Sequence, residues 1–472
     1  MINESKQRLK YVLGDYVMSN LGWAACNVAR FYLGNPHREF GSLASFLTSQ
    51  TVVMGQVLFP LMMMVVYYLS GYYNEVFRKS RLQEIFTSLW SAGINALVIF
   101  FVALINDRGR GRQVDYEIIL VIWFVLFAAI YSWRCIVTSY TSHMIKTRRW
   151  SFSTLIVGRG AAAVAYANKL DSMPQSLGYR LKGFVSIPGE NDVKEVTLPC
   201  YSLDEIARVC ADEKIEELIV VPTKQSTEVV LNTINRLFAL NLPIKVTPDR
   251  INVLLSQVRI SDLHGDPLVD ISGSNLSDSG KNLKRLIDVM VSALVLIVLS
   301  PLLLVVALLV KLDSKGPVIY TQERVGFHNK PFKMYKFRTM VHSAEQAGVP
   351  QLTCDNDPRI TRLGKSLRKY RIDELPQFWN VLKGDMSIVG PRPERQYFIN
   401  QIQERVPSYA LVHQVRPGIT SMGMVKYGYA QDVDQMLERL SYDLIYLENM
   451  SLINDFKIMV YTIKTVITGK GM

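Results

Sequence analysis

Four long apolar stretches fill the first third of the chain: roughly Tyr11–Leu33, Thr51–Gly71, Leu82–Ile105 and Tyr116–Tyr140. Each is near the ~20 residues that a helix needs to cross a hydrocarbon core. Four such lengths in series, with few charges inside them, predict membrane helices rather than the buried helices of a water-soluble core. Basic residues orient them. Lys6, Arg8 and Lys10 precede the first stretch, Arg78, Lys79 and Arg81 separate the second from the third, and Lys146, Arg148 and Arg149 follow the fourth. All three clusters fall on one side, so both ends of this region are expected in the cytoplasm. Arg108, Arg110 and Arg112, in the loop after the third stretch, run against that pattern. No convincing pair of opposite charges lies within the stretches, which counts against a transporter. The polar start, Met1–Lys10, is followed by no cleavage-site pattern, so no removable signal peptide is expected.

A length of 472 residues suggests two to four domains. The net charge of +12 raises the question of nucleic acid, but no nucleic-acid module accompanies it, so none is expected as a partner. Basic residues beside apolar segments suit anionic lipid headgroups or phosphorylated substrates. Cys26, Cys135, Cys200, Cys210 and Cys354 lie far apart, with neither disulfide nor zinc spacing, as fits a reducing compartment. The six histidines show no metal-binding spacing.

An α/β pattern begins after Trp150. Ser153–Val157 reads as a buried strand, followed by Gly158-Arg159-Gly160-Ala161-Ala162-Ala163 and a helix to about Met173. Further strands are predicted at Arg180–Ile187, Glu217–Val221 and Ile244–Thr247, with helices between, one opened by a Ser202-x-x-Glu205 capping box. Such alternation implies a parallel sheet covered on both faces. The glycine-rich turn fits a dinucleotide fingerprint, with Glu190 the nearest candidate for its ribose-binding acid. A Ser-, Asp- and Gly-rich linker follows, from about Ser261 to Asn282.

Val289–Val310 is long enough to span a membrane, but Ser300-Pro301 falls at its middle and predicts a kink. Lys284 and Arg285 precede it and Lys311 closes it, which favours a re-entrant hairpin returning to the same face over a true span.

The densest chemistry runs from Asp357 to Pro393. Asp357-Pro358-Arg359 reads as a turn before a helix in which Leu363, Leu367 and Tyr370 share one face. Arg359, Arg362, Lys365 and Arg368 recur at steps of three, with Lys369 and Arg371 alongside, a pattern suited to a lipid surface. Asp373-Glu374-Leu375-Pro376 follows, then Lys383-Gly384-Asp385-Met386-Ser387 and Pro391-Arg392-Pro393. Adjacent carboxylates on a helix point about 100° apart and can serve one substrate, and the proline suggests a helix start, where backbone N–H groups favour phosphate. A carboxylate can attack phosphorus, its neighbour can hold Mg²⁺, and arginine offers a fork for phosphate oxygens. Upstream, Val318–Gly326 and Pro331–Met340 read as a hairpin around His328-Asn329-Lys330, with Lys336 and Arg338 on one face, open to phosphate or to a surface acid.

From Lys284 to Met472 the chain resembles the catalytic domain of the monotopic polyprenyl-phosphate phosphoglycosyltransferases, the bacterial sugar transferases. The matching features are Lys284-Arg285, the Ser-Pro break, Gln322-Glu323-Arg324-Val325-Gly326, Lys336-Phe337-Arg338-Thr339-Met340 and the motifs from Asp357 to Pro393 just quoted. Arg416-Pro417-Gly418-Ile419-Thr420 and Tyr442-Asp443 complete the order. After that threonine the family often has Gly-Trp or Gly-Leu, where this chain has Ser421-Met422. The whole chain resembles the large form of the family.

The resemblance implies a membrane protein of α plus α/β class. It would comprise a four-helix transmembrane bundle (1–148), a Rossmann-like cytoplasmic domain (151–260), the linker (261–282) and an α-rich catalytic domain (283–472) with a re-entrant helix at 286–311. It implies transfer of a sugar 1-phosphate from a UDP-sugar to polyprenyl (undecaprenyl) phosphate in the bacterial inner membrane, on the cytoplasmic face. The product would start exopolysaccharide, capsule or O-antigen assembly. Asp373 takes the place of the nucleophile that forms an aspartyl sugar phosphate and releases UMP. Glu374 matches its partner, and both carboxylates would bind Mg²⁺ as cofactor. Arg392, Lys336, Arg338, Arg359 and Asp443 are the implied substrate-binding residues, while Tyr442 and Asp455 share the tail motif with Asp443. Membrane lipids are implied partners, a homodimer is compatible, and the sugar is left open. A nucleotide-sensing membrane scaffold is the rival reading; the intact acid pair and Pro-Arg-Pro motif speak against it.

Overall fold

The computed structural model describes residues 4–33, 36–77, 79, 81–104, 112–189, 198–221, 227–247, 259–260, 269–270, 276–341, 357–428 and 430–468. Arg78, Arg108, Arg110, Glu190 and Cys354 lie outside the described residues. The chain divides into two compact units, one of Met1–Ser151, Met173–Gly178 and Ser277–Leu283, the other of Phe152–Ser172, Tyr179–Leu276 and Lys284–Met472.

The first unit is helical: α1 (Glu4–Leu33), α2 (Pro36–Phe40), α3 (Leu43–Leu47), α4 (Gln50–Leu69), α5 (Arg81–Ile99) and α6 (Arg112–Lys146). Helix α1 packs on α6 and α4, and α5 packs on α6. Among the described residues, three helices are long and apolar enough to cross a membrane: Gln50–Leu69, Arg81–Val102 and Tyr116–Lys146. The first of the four predicted stretches does not join them, because α1 carries Asp15, Ser19, Asn20, Asn27 and Arg30 among its apolar residues.

The buried face of α1 also corrects the expectation of no paired charges. Arg134 Nη2 lies 2.7 Å from Asp15 Oδ2, both side chains fully buried. Arg134 also donates to Ser88 Oγ at 3.1 Å and stacks on Tyr72, with Cζ 3.5 Å from the ring centroid. Tyr73 donates to Asp15 at 2.8 Å, and Tyr72 to Glu84 Oε1 at 2.8 Å. Asp15 and Arg134 are 119 residues apart in sequence, and the antiparallel packing of α1 on α6 brings them together.

The second unit holds a seven-stranded sheet of order β3-β2-β1-β4-β5-β7-β6. Its strands are β1 (Phe152–Val157), β2 (Tyr179–Ser186), β3 (Cys200–Ser202), β4 (Glu217–Val220), β5 (Ile244–Val246), β6 (Arg259–Ile260) and β7 (Val269–Asp270). The first five pair in parallel and β7 runs antiparallel to β5 and β6. Helices α7 (Ala161–Ser172), α8 (Ile206–Asp212) and α9 (Thr227–Phe238) make the crossovers that parallel strands require. Leu155, Val157, Leu218, Val220, Ile244 and Val246 bury one face. The four predicted strands lie within a residue of their observed limits; β3, β6 and β7 are too short to show a period. The capping box is half formed: Glu205 Oε2 accepts from Ser202 N at 3.4 Å, while Ser202 Oγ accepts from Asp204 N.

Helix α10 (Asp278–Val298) begins inside the segment read as linker, and α11 (Ser300–Asp313) follows at a 63° bend. Pro301 opens α11, where its missing N–H costs no helix bond, so the kink becomes a break at Leu299. Lys284 and Arg285, read as a basic flank, point into the unit. Arg285 caps the carbonyls of Val381 and Leu382 at 2.7 and 3.0 Å, and Lys284 reaches Val389 O at 2.9 Å and Asp455 Oδ2 at 2.6 Å. The rest comprises β8 (Ile319–Val325), β9 (Pro331–Phe337), α12 (Arg362–Lys369), α13 (Gln377–Lys383), β10 (Ser387–Val389), α14 (Gln396–Arg405), β11 (Gly418–Thr420), α15 (Met422–Lys426), α16 (Val433–Glu448) and α17 (Leu452–Ile467).

Candidate active site

Strands β8 and β9 form the antiparallel hairpin predicted around His328-Asn329-Lys330, with Tyr320 opposite Lys336. Buried Asn380, on α13, locks that helix to β9: its Oδ1 accepts from Tyr335 N at 3.0 Å and its Nδ2 donates to Lys333 O at 2.7 Å. The turn just before α13 therefore faces Lys336. It is a 3₁₀ turn, Ile372–Glu374, rather than the expected start of an α-helix. Pro376 caps α13 instead. Arg371 enters the turn with φ of +53°, a left-handed conformation that a side-chain-bearing residue adopts only when its surroundings compel it.

The turn presents Asp373 and Glu374, 7% and 4% exposed. Three cations converge on Glu374. Lys336 Nζ is 2.8 Å from Oε1, Arg371 Nη1 is 3.3 Å from Oε2 and Arg392 Nη2 is 3.9 Å from Oε1. Burial alone would raise the Glu374 pKa, but these cations hold it well below the usual carboxylate range. Asp373 goes the other way. Burial, then the neighbouring Glu374 charge, raise its pKa, with Lys336, Arg368 and Arg371 opposing. Burial also lowers the Lys336 pKa, with Glu374 the main opposing influence. The pair is thus unequal: Glu374 is a neutralised anchor, while Asp373 is a carboxylate poorly compensated in its dry site.

Arg392 arrives from the loop after β10. Strands β10 and β11 pair in parallel, and Gly390 lies so close to Gly418 that a Cβ on Gly418 would sit 2.2 Å from Gly390 N. Only glycine allows that approach. Asp443, buried on α16, accepts from Gly423 N at 2.8 Å and from Arg392 N at 3.4 Å. Burial raises its pKa.

The other predicted substrate-binding residues are placed elsewhere. Arg338 lies past the end of β9 and does not share the Lys336 environment. Its guanidinium caps the end of α11, donating to Val310 O at 3.1 Å, Ser314 O at 2.7 Å and Pro317 O. Arg359 forms a two-pronged pair with Asp357, Nε to Oδ1 at 2.9 Å and Nη2 to Oδ2 at 2.6 Å, and its hydrogen bond holds the Asp357 pKa down. Asp443 supports backbone, and Asp455 pairs with Lys284 and Tyr446. The basic run divides: Arg362, Lys365 and Lys369 are exposed, whereas Arg368 and Arg371 turn inward. Tyr370, expected beside Leu367, is exposed. In sequence Arg371 belongs only to that basic run. Its signal was position, three residues before a carboxylate.

Residues 279–469 match the bacterial sugar transferase family. The UDP-glucose:undecaprenyl-phosphate glucose-1-phosphate transferase of Klebsiella pneumoniae is 30% identical over 419 residues, 86% of this chain and 88% of that protein. The UDP-N-acetylgalactosamine-undecaprenyl-phosphate N-acetylgalactosaminephosphotransferase of Aeromonas hydrophila is 44% identical over 218 residues, 46% of this chain and 51% of that protein. The undecaprenyl-phosphate glucose phosphotransferase of Komagataeibacter xylinus is 32% identical over 365 residues, 74% of this chain and 65% of that protein. With the Aeromonas protein, the alignment thus spans about half of that relative's length. The chain belongs to the bacterial sugar transferase family.

Proposed function

We propose that this protein transfers a sugar 1-phosphate from a UDP-sugar to undecaprenyl phosphate, the first step in building an exopolysaccharide, capsule or O-antigen. The observation that carries the reading is the unequal acid pair, with three cations gathered on Glu374 and Asp373 left beside them. The names of the family relatives support the donor and acceptor classes.

In this mechanism an Asp373 Oδ attacks the β-phosphorus of the donor, the bond to the bridging oxygen breaks, and UMP leaves with the electron pair. The aspartyl sugar phosphate then meets the lipid phosphate. A lipid phosphate oxygen attacks the same phosphorus, restoring the Asp373 carboxylate and forming the diphosphate-linked sugar. Lys336 and Arg371 hold Glu374, and Arg392 lies where it can meet phosphate oxygens. The buried Asp373 carboxylate also suits Mg²⁺, which commonly takes one or two carboxylates and completes its shell with substrate phosphates and water. Asp373 is the better protein ligand, because Lys336 and the arginines already occupy Glu374. Bound there, Mg²⁺ would shield the pyrophosphate charge. A four-helix transmembrane bundle, a Rossmann-like middle domain and a re-entrant α10–α11 hairpin facing the cytoplasm complete the proposed architecture, and a homodimer is compatible with it.

The test is a panel of UDP-sugars with purified full-length protein, scored for UMP release with undecaprenyl phosphate. Without acceptor, intact-protein mass spectrometry should show a sugar-phosphate adduct on the wild type and none on Asp373→Asn. Turnover by Asp373→Asn at the wild-type rate removes Asp373 from the reaction.

A further inference from the structure

Arg392 reaches the acid pair from a loop whose backbone is pinned at successive points. Gly418 N donates to Pro391 O at 2.9 Å, Asp443 accepts from Arg392 N, Arg324 Nη1 donates to Pro393 O at 3.2 Å, and Val325 N donates to Glu394 O at 3.1 Å. The far end of the loop is held by Glu394, only 5% exposed. Its Oε2 accepts from Arg324 Nη1 at 3.1 Å and its Oε1 from Arg439 Nη2 at 2.6 Å. Arg324 comes from β8 and Arg439 from α16, two elements far apart in sequence, and Glu394 joins them two residues after Arg392.

We infer that Glu394, clamped between Arg324 and Arg439, is a positioning residue that sets Arg392 toward the phosphate of the donor; this rests on the proposed transferase reading. Pro391 and Pro393 restrict the backbone on either side of Arg392. The Glu394 carboxylate fixes the chain two residues beyond Arg392 in a dry site, where a two-pronged ionic contact tolerates little displacement. Glu394 touches no reacting atom. Its contribution is to spare Arg392 the ordering that binding would otherwise demand. Arg439 serves the same loop twice, since it also lies beside Asp443, which accepts from Arg392 N.

A double-mutant cycle separates positioning from mere stability. Detergent-purified full-length protein is titrated with inorganic pyrophosphate, comparing wild type, Glu394→Gln, Arg392→Lys and the double variant. Glu394→Gln should weaken pyrophosphate binding on the order of tenfold, and the double variant should bind no more weakly than Arg392→Lys alone. With UDP-sugar, Glu394→Gln should raise KM more than it lowers kcat. If Glu394→Gln does not fold, Arg439→Lys keeps every charge and should show a smaller loss that likewise vanishes in the Arg392→Lys background. Losses that multiply in the double variant overturn the inference. So does wild-type affinity in the single variants, or a wild-type protein that binds no pyrophosphate. A non-additive cycle in a protein that turns over no UDP-sugar would leave the positioning standing and sink the donor reading instead.

Discussion

Replacing Lys336 with methionine keeps most of the side-chain volume and removes the nearest cation from Glu374, 2.8 Å away. Removing one partner of a buried ion pair typically costs ~3–5 kcal/mol. Arg371 and Arg392 remain at 3.3 and 3.9 Å, and Lys336 was itself unfavourably buried, so the expected net loss is ~2 kcal/mol. For a domain of this size that is a fall of roughly 4–8 °C in the thermal midpoint. The pH dependence gives a second check. Because the folded pKa of Glu374 is depressed, its ionisation stabilises the fold above the unfolded value, about 4.3, and that stability is lost as pH falls through the folded pKa. Between pH 7 and pH 4 the wild type should lose ~0.6 kcal/mol of this contribution, and the variant less. Asp373 acts in the same direction: its pKa is raised, Lys336 opposes the rise, and the variant gains more than the wild type when Asp373 protonates. The gap between the two proteins should therefore narrow on acidification. Intrinsic-fluorescence melting of the full chain in detergent at pH 7 and pH 4 measures it. A midpoint change under 1 °C at pH 7, or a gap that widens at pH 4, refutes the electrostatic reading of the site.

In the metal-free protein the Asp373 carboxyl should titrate above the ordinary aspartate value of about 3.9, because burial and then the Glu374 charge raise its pKa; a midpoint below that value, read by carboxyl-carbon NMR against Asp373→Asn, contradicts this. Excess EDTA should stop turnover and Mg²⁺ restore it, since the attack joins two anions; undiminished turnover in EDTA rules the metal out. Arg134→Met should destabilise the helical unit by ~3–5 kcal/mol and Asp15→Leu/Arg134→Met by much less, read from denaturation in detergent, because the single change strands a fully buried carboxylate. Gly418→Ala should lower the melting point and activity together, as its Cβ would meet Gly390 N at 2.2 Å; an alanine variant with wild-type activity contradicts the close approach.

Much of the second unit was legible in one dimension because its signals are local. Runs such as Leu155–Val157 and Leu218–Val220 declare buried strands by composition, and Ser300-Pro301 announces a break by covalent geometry. The acid pair, Lys336 and Arg392 stand out in sequence by their motifs, and the structure brings them together. Other residues misled. Arg338 and Lys336 look alike two residues apart, yet one caps α11 and the other meets Glu374, because the strand ends at Phe337. Lys284 and Arg285 resemble a membrane flank but cap carbonyls inside the fold.

The sequence alone determined three apolar helices of membrane length, four strands of the large sheet and the break at Ser300-Pro301. Tertiary structure alone decided which charges neutralise each other. Asp15 with Arg134, Glu394 with Arg324 and Arg439, and Glu374 with Lys336, Arg371 and Arg392 mostly join distant parts of the chain. A side chain's charge is written in its residue type, whereas its electrostatic energy depends on distance and on exclusion of water, and packing sets both.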